Sequence, residues 1–263
     1  MRIVSLAPAI TETLVLLGAG DELAGVSVYC RDYAPGKPIV GTYISVIWRR
    51  LEQARPDIVL LQDYVQRGLY EELRRRGYRA YIFPLPSSLH GIAENAAAIG
   101  AVTGRRLEGL MLAEKLEEEI ARLKETKPER TMRVYAEYIW PDYTTRMSPG
   151  ALSFADHALR LAGAENIYAG EPQAFVEPRS EDVIATEPEA VIVSAEKLMK
   201  LTKEKYLEKT PWIRRLRAIK EDKLIILSGE PGQDLAHPGP SIIETTRKLR
   251  TLLHEIQSMK NKA

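Results

Sequence analysis

Apolar residues arrive along the first third of the chain in short runs, each followed by a stretch with helical spacing. Residues 3–6 (Ile-Val-Ser-Leu) predict a first strand. Residues 11–17 are amphipathic and predict a helix, with Thr11 or Thr13 as its cap and the Gly18-Ala19-Gly20 stretch as its end. Residues 23–28 and 38–40 read as further strands, and Trp48–Ala54 reads as a helix closed by Arg55-Pro56. The fully apolar residues 58–61 predict a strand, residues 69–76 a helix and Ala80–Phe83 another strand. Strands alternating with helices imply a mostly parallel sheet covered on both faces.

The next segment is different. Residues 88–124 contain no proline, and Ile92, Ala96, Ile99, Val102, Leu107, Leu110, Leu116, Ile120 and Leu123 recur at three- and four-residue spacing. Ser87 or Ser88 is positioned to cap this helix. Gly100, Gly104 and Gly109 weaken the pattern and place any kink near Thr103-Gly104. A continuous helix of about 35 residues would run about 50 Å, longer than one lobe. After Lys127-Pro128 the alternation resumes. Residues 132–138 predict a strand, 152–161 a helix, 181–185 a short helix, 190–193 a strand, Leu224–Leu227 a last strand and 242–256 a closing helix. The two halves share an echo: Ala54-Arg55-Pro56-Asp57-Ile58 and Thr186-Glu187-Pro188-Glu189-Ala190 each end a helix at Pro-acid and start an apolar strand. The architecture expected is α/β, two lobes with mostly parallel sheets flanked by helices, joined by one long backbone helix. The expected boundaries are 1–86, 87–127 and 128–263.

Composition narrows the function. A net charge of +1 gives no global pull toward nucleic acid or an anionic membrane. The run Arg74-Arg75-Arg76, next to Glu71 and Glu72, reads as a solvated helix face. Cys30 is the only cysteine, which excludes an internal disulfide and reads as a small packed hydrophobe. His90, His157, His237 and His254 are scattered without metal-binding spacing, so no bare-metal site is expected. No stretch approaches the roughly 20 apolar residues of a membrane-spanning helix. Met1-Arg2 leads straight into the first strand, so the expectation is either a cytoplasmic chain or one whose targeting segment was removed. A nucleophile elbow, a phosphate-binding Walker loop, HExxH and a dinucleotide GxGxxG are all absent, and no enzyme is expected.

Several segments, taken in order, resemble a known family. They are Arg2-Ile3-Val4-Ser5-Leu6-Ala7-Pro8-Ala9-Ile10-Thr11-Glu12 with Leu17-Gly18-Ala19-Gly20, Gly25-Val26-Ser27-Val28-Tyr29, Val40-Gly41-Thr42-Tyr43 and Arg55-Pro56-Asp57-Ile58-Val59. Leu161-Ala162-Gly163-Ala164-Glu165-Asn166-Ile167 and His237-Pro238-Gly239-Pro240 complete the set. Together they resemble the substrate-binding proteins of ABC importers for cobalamin, ferric siderophores and haem, with the cobalamin branch nearest. The resemblance implies a non-enzymatic monomer that captures a metal chelate between two lobes, with the connecting helix limiting their movement, and hands it to membrane subunits. It implies a corrinoid or iron chelate as ligand and no resident cofactor.

Tyr29, Tyr43 and Phe175 match aromatic positions of the cobalamin branch. Flat aromatic faces suit a large planar macrocycle; each aromatic equally suits capping a core. Strand ends of open parallel sheets carry ligand sites, which adds Pro8, Gln62, Trp140 and Glu230. Tyr143, Arg146 and Met147 fall in a loop that touches ligand in the family. Arg146 and Arg179 suit an anionic group on the chelate or a surface ion pair. His237 is either an axial metal ligand or a loop residue. Family members dock on the transporter through one acidic residue per lobe. Glu181 matches in the second lobe, but Arg49 stands at the first-lobe position, where a positive charge opposes docking on arginines. Glu52, one turn on, is the substitute. The same fold without docking would serve as a cytoplasmic ligand carrier or sensor.

Overall fold

In a computed structural model of the chain, which describes residues 1–259, the predicted alternation becomes two sheets, each within its own unit. The first unit comprises Met1–Pro86, His90–Glu118 and His237–Pro240; the second comprises Ser87–Leu89, Glu119–Ala236 and the chain from Ser241 onward.

The first sheet contains β1 (Ile3–Ser5), β2 (Leu23–Ser27), β3 (Ile39–Gly41), β4 (Ile58–Gln62) and β5 (Ala80–Phe83), all parallel in the order β3-β2-β1-β4-β5. Three helices alternate with them: α1 (Pro8–Leu16), α2 (Trp48–Ala54) and α3 (Arg67–Arg75). Successive strand residues serve opposite cores. Ile3, Ile58 and Leu60 pack with Ile10, Leu14 and Leu17, while Val4, Val59 and Leu61 pack with Leu51, Leu69 and Leu73. Burial on both faces explains why residues 58–61 read as an unbroken apolar run. Helix α1 starts three residues earlier than expected, at Pro8, where the missing amide costs nothing. Neither threonine caps it: Thr11 Oγ1 donates to Ser5 Oγ at 2.8 Å and Thr13 Oγ1 to the Ala9 carbonyl at 2.8 Å.

The single long helix expected over residues 87–127 is replaced by two helices, α4 (Leu89–Val102) and α5 (Arg106–Glu125). The break has a definite cause. Gly104 sits at φ +76°, and the Arg105 amide donates back to the Gly100 carbonyl at 2.7 Å, closing α4 with a left-handed cap. The Arg105 guanidinium then ties the turn to Glu22 at 2.6 Å and to the Leu17 carbonyl at 3.2 Å. The two helices fold back on one another, and a Cβ on Gly100 would lie 2.7 Å from the Gly109 Cα. The glycines that weaken the helical pattern are what allow this contact. The division between the two units falls within α5, after Glu118.

The second sheet is mixed, in the order β11-β10-β6-β7-β9 with β8 also on β6. Its strands are β6 (Met132–Ile139), β7 (Arg146–Pro149), β8 (Ala164–Asn166), β9 (Phe175–Val176), β10 (Ala190–Ala195) and β11 (Leu224–Leu227). Its helices are α6 (Phe154–Ala162), α7 (Ser180–Thr186), α8 (Lys203–Lys209), α9 (Arg217–Lys220) and α10 (Ile242–Met259). Strands β7, β8 and β9 and helices α8 and α9 were not expected from sequence. They have two to seven residues and carry polar positions such as Arg146, Ser148, Glu165 and the Lys/Glu-rich 203–209, so no period develops.

The echo between the halves extends to side chains. Arg55 and Glu187 both end their helices in the left-handed region, at φ 45° and 44°. Asp57 accepts the Arg2 amide at 2.7 Å, and Glu189 accepts the Arg133 amide at 3.1 Å. The Arg2 guanidinium reaches the Ala54 and Arg55 carbonyls, and that of Arg133 reaches the Glu187 carbonyl. In both units the residue after Pro thus pins the incoming strand to the one beside it, β4 to β1 and β10 to β6.

Candidate functional site

Because all five strands of the first sheet are parallel, their carboxyl ends make one rim. Pro8 begins α1 there, half-buried, directly after β1. Tyr29 follows β2 and is 42% exposed. Tyr43 follows β3, half-buried against the core beneath, and burial raises its hydroxyl pKa. Tyr64, after β4, is 58% exposed. The structure adds residues that the sequence did not single out: Ile44 lies in the tight turn after β3, Ile47 follows that turn, Val65 follows Tyr64, and all three are exposed. Exposed apolar side chains on several strand-end loops make this rim a candidate binding surface.

Gln62 does not belong to that surface. It is 1% exposed, and its carboxamide donates to the Phe83 and Pro84 carbonyls at 3.2 and 2.6 Å. Its amide donates to Gln66 Oε1 at 2.6 Å, while Gln66 Nε2 donates to the Leu6 and Tyr43 carbonyls. The two glutamines form a neutral brace joining the segments after β1, β3, β4 and β5. His237 is also an interior residue, 5% exposed. Its Nε2 is 2.7 Å from Glu12 Oε2, and its ring stacks on Tyr33 with centroids 5.0 Å apart and planes 9° from parallel. With Nε2 committed to Glu12 and the ring buried against Tyr33, His237 takes the place of a packed loop residue.

The second unit has its own rim after β6, β10 and β11. Trp140, immediately after β6, is 42% exposed, and Leu198, in the turn after β10, is 74% exposed. Leu198 lies in a polar segment and carried no sequence signal. Glu196 and Glu230 lie at the same edge. Burial, then the Asp234 charge, raises the Glu196 pKa, and Glu230 approaches Lys197 at 3.9 Å. Phe175 opens β9 half-buried, edge-on to Tyr138 at 5.9 Å. Met147 pairs with Tyr138 across β6 and β7. The turn from Trp140 to Arg146 is held at its tip by Asp142, which accepts from the Thr144 and Thr145 amides at 3.0 and 2.9 Å. The Thr145 hydroxyl, followed by these amides, lowers the Asp142 pKa to about 2.

Arg146 is turned inward beneath that turn. Its Nη1 donates to both oxygens of the fully buried Glu137, at 2.8 and 3.0 Å, and its Nη2 donates to Thr210 and to the Tyr143 carbonyl. Tyr135 and Tyr206 donate their hydroxyls to the same carboxylate. Burial opposes the Arg146 charge, but Glu137 outweighs it and the pKa rises. Both tyrosines are pushed well above the usual phenol range, first by burial and then by Glu137. Arg146 is therefore committed to an internal ion pair rather than to a ligand, and Tyr143 packs against the same core.

The remaining predicted residues are at the surface. Arg179 precedes α7 with its side chain 3.8 Å from Asp182. Glu181 is in the first turn of α7, where its own amide and Ser180 lower its pKa. Glu52 and Arg49 are exposed on α2. Among the described residues no cluster of His, Cys, Asp and Glu suits a metal ion, and no helix is long and apolar enough to cross a membrane.

Comparison with known proteins places these rims in context. The cobalamin-binding protein of Halobacterium salinarum is 23% identical over 270 residues, covering 96% of this chain and 69% of the relative. Among solved structures, the periplasmic haem-binding protein HutB of Vibrio cholerae superposes with a TM-score of 0.81 at 22% identity, covering 96% of this chain and 98% of that one. The periplasmic vitamin B12-binding protein BtuF of Vibrio cholerae gives 0.75 at 21% identity, with 97% of each chain covered. At these identities the structures establish the fold. The family model described as periplasmic binding protein matches residues 3–231, so this chain belongs to that family, whose members are substrate-binding proteins and not enzymes.

Proposed function

We propose that this chain is the substrate-binding protein of an ABC importer for a metal chelate, with a cobalamin-type corrinoid as the first candidate. The carrying observation is the exposure of flat and aliphatic side chains at the carboxyl rims: Tyr29, Tyr64 and Ile44 on one, Trp140 and Leu198 on the other. Rigid aromatics bury a large area on a planar macrocycle with little loss of side-chain freedom. The relatives named for cobalamin and vitamin B12 support the same reading. Pro8, Tyr43, Met147, Phe175 and Glu230 are the neighbouring contacts we assign to the ligand. Haem is the second reading, because Tyr29 and Tyr64 present phenols of the kind that ligate ferric iron. A ferric siderophore is the third.

Glu181 and Glu52 are the docking residues in this reading, both solvent-exposed carboxylates on surface helices. Arg49, beside Glu52, makes the first unit's contribution the weaker one. A monomer is expected.

Calorimetric titration with cyanocobalamin, haemin and a ferric siderophore tests the proposal. One of them should bind one-to-one, and Tyr29→Ala or Trp140→Ala should each weaken it by about 1–2 kcal/mol, roughly five- to thirtyfold, without loss of fold. Failure of all three to bind folded protein would overturn the proposal.

A further inference from the structure

On the amino edge of the first sheet, opposite the rim, lies a cavity of about 430 Å³. Its volume is that of a small-molecule site. The starts of β2 and β3 and the end of α2 border this open cavity, which is lined by the more buried Ala24, Val40 and Ala54 and by the exposed Arg2, Arg50 and Gln53. The two arginines are oriented by backbone carbonyls. Arg2 Nε and Nη2 donate to Ala54 at 2.9 and 2.6 Å, and Arg50 Nη1 donates to Ile39 at 3.1 Å.

Neutral partners fix the direction of each guanidinium without cancelling its charge. Among the described residues neither is paired with a carboxylate, and no acidic residue lines the cavity. Asp57, the nearest acid in the hydrogen-bond network, is spent on the Arg2 backbone amide. The second unit supplies a control. At the amino edge of its sheet, Met132, Glu189, Lys223 and Ile256 leave no space for a water molecule, and Glu189 pairs with Arg130 at 3.2 Å. The repeated architecture therefore does not require an open basic cavity at this edge.

We infer that this cavity is a binding site for a small organic phosphate, distinct from the chelate site. Two pre-oriented guanidiniums match a phosphate dianion better than a single carboxylate. The Gln53 carboxamide supplies a further donor, and the apolar floor receives the organic part. Because the guanidiniums are already held, little side-chain freedom is lost on binding.

Amide chemical shifts of labelled protein, recorded during titration with phenyl phosphate and separately with phenol, test the site. Phenyl phosphate should give saturable shifts confined to the amides of Arg2, Ala24, Ile39, Val40 and residues 50–55, and phenol should give none. Gln53→Glu places a carboxylate beside the arginines at an exposed position, so the fold is retained while phenyl phosphate affinity falls at least about tenfold. Arg50→Gln should act in the same direction, and chelate binding should be unchanged in both variants. Absence of saturable shifts, equal response to phenol, or unchanged affinity in folded Gln53→Glu would overturn the inference.

Discussion

The two rims are supported from below by opposite means. Under the first, Gln62 and Gln66 link four strand-end segments through neutral amide hydrogen bonds. Under the second, a carboxylate and a guanidinium are buried together, with two phenols and a threonine filling their remaining positions. A neutral brace costs little to bury once each donor has an acceptor. A charged brace is stable only while every member is present, because losing one leaves a charge stranded in a low-dielectric interior. The second rim should therefore fail more abruptly than the first.

Glu137→Ala is the sharpest break of that comparison. It leaves Arg146 and two phenols without their shared acceptor and should cost about 3–5 kcal/mol in urea unfolding. A loss below about 1 kcal/mol would show that water replaces the carboxylate and would erase the contrast. Gln66→Ala should cost less, about 1–3 kcal/mol, through unsatisfied carbonyls at Leu6 and Tyr43 and an unsatisfied amide at Gln62.

The second unit should also carry more of the pH dependence. Burial raises the Asp156 carboxyl to about 6 against the opposing pull of Arg160, with the side chain 2% exposed. A carboxyl whose pKa is higher folded than unfolded lowers stability when ionised. The penalty is present in full above about pH 6 and is relieved as pH falls toward the ordinary value of 3.8. This group's contribution to stability in thermal unfolding should rise by about 3 kcal/mol over that window, and Asp156→Asn should flatten the slope. The smallest effect belongs to Asp142, whose pKa is depressed. Its support of the rim turn is complete above the ordinary carboxyl value and is lost as pH falls toward about 2. Protection factors of the Thr144 and Thr145 amides, corrected for intrinsic exchange, should fall over that range, and in Asp142→Asn they should no longer change with pH.

The same contrast governs what the sequence could reveal. Trp48–Ala54, Ala80–Phe83 and Leu224–Leu227 form as expected, because local period and flanking breakers agree there. The continuous helix expected across α4 and α5 was overridden by a left-handed cap at Gly104, where the sequence showed a weakened pattern but not a full reversal. Trp140 could be placed on its rim from the strand end, and Tyr29 from the family resemblance. Arg146 and His237 show the limit: their residue types suggested ligand chemistry, and their committed partners, Glu137 and Glu12, are separated from them by nine and 225 positions. The 9-residue case crosses a strand pair and the other crosses nearly the whole chain, so neither has a local signature. Ile44 and Leu198 were missed because one exposed apolar residue in a turn has no period.

The pairing of Glu12 with His237 sets a schedule for how the protein is made. Ribosomes release the amino-terminal unit first, at about 5–20 residues per second. Yet the ring that stacks on Tyr33 and covers Glu12 is carried by the segment His237–Pro240. Until that segment emerges, the nascent first unit holds an uncovered carboxylate and tyrosine at the place it will fill. Newly made chains should thus pass through a nearly finished amino-terminal unit that closes only once residues 237–240 have been made.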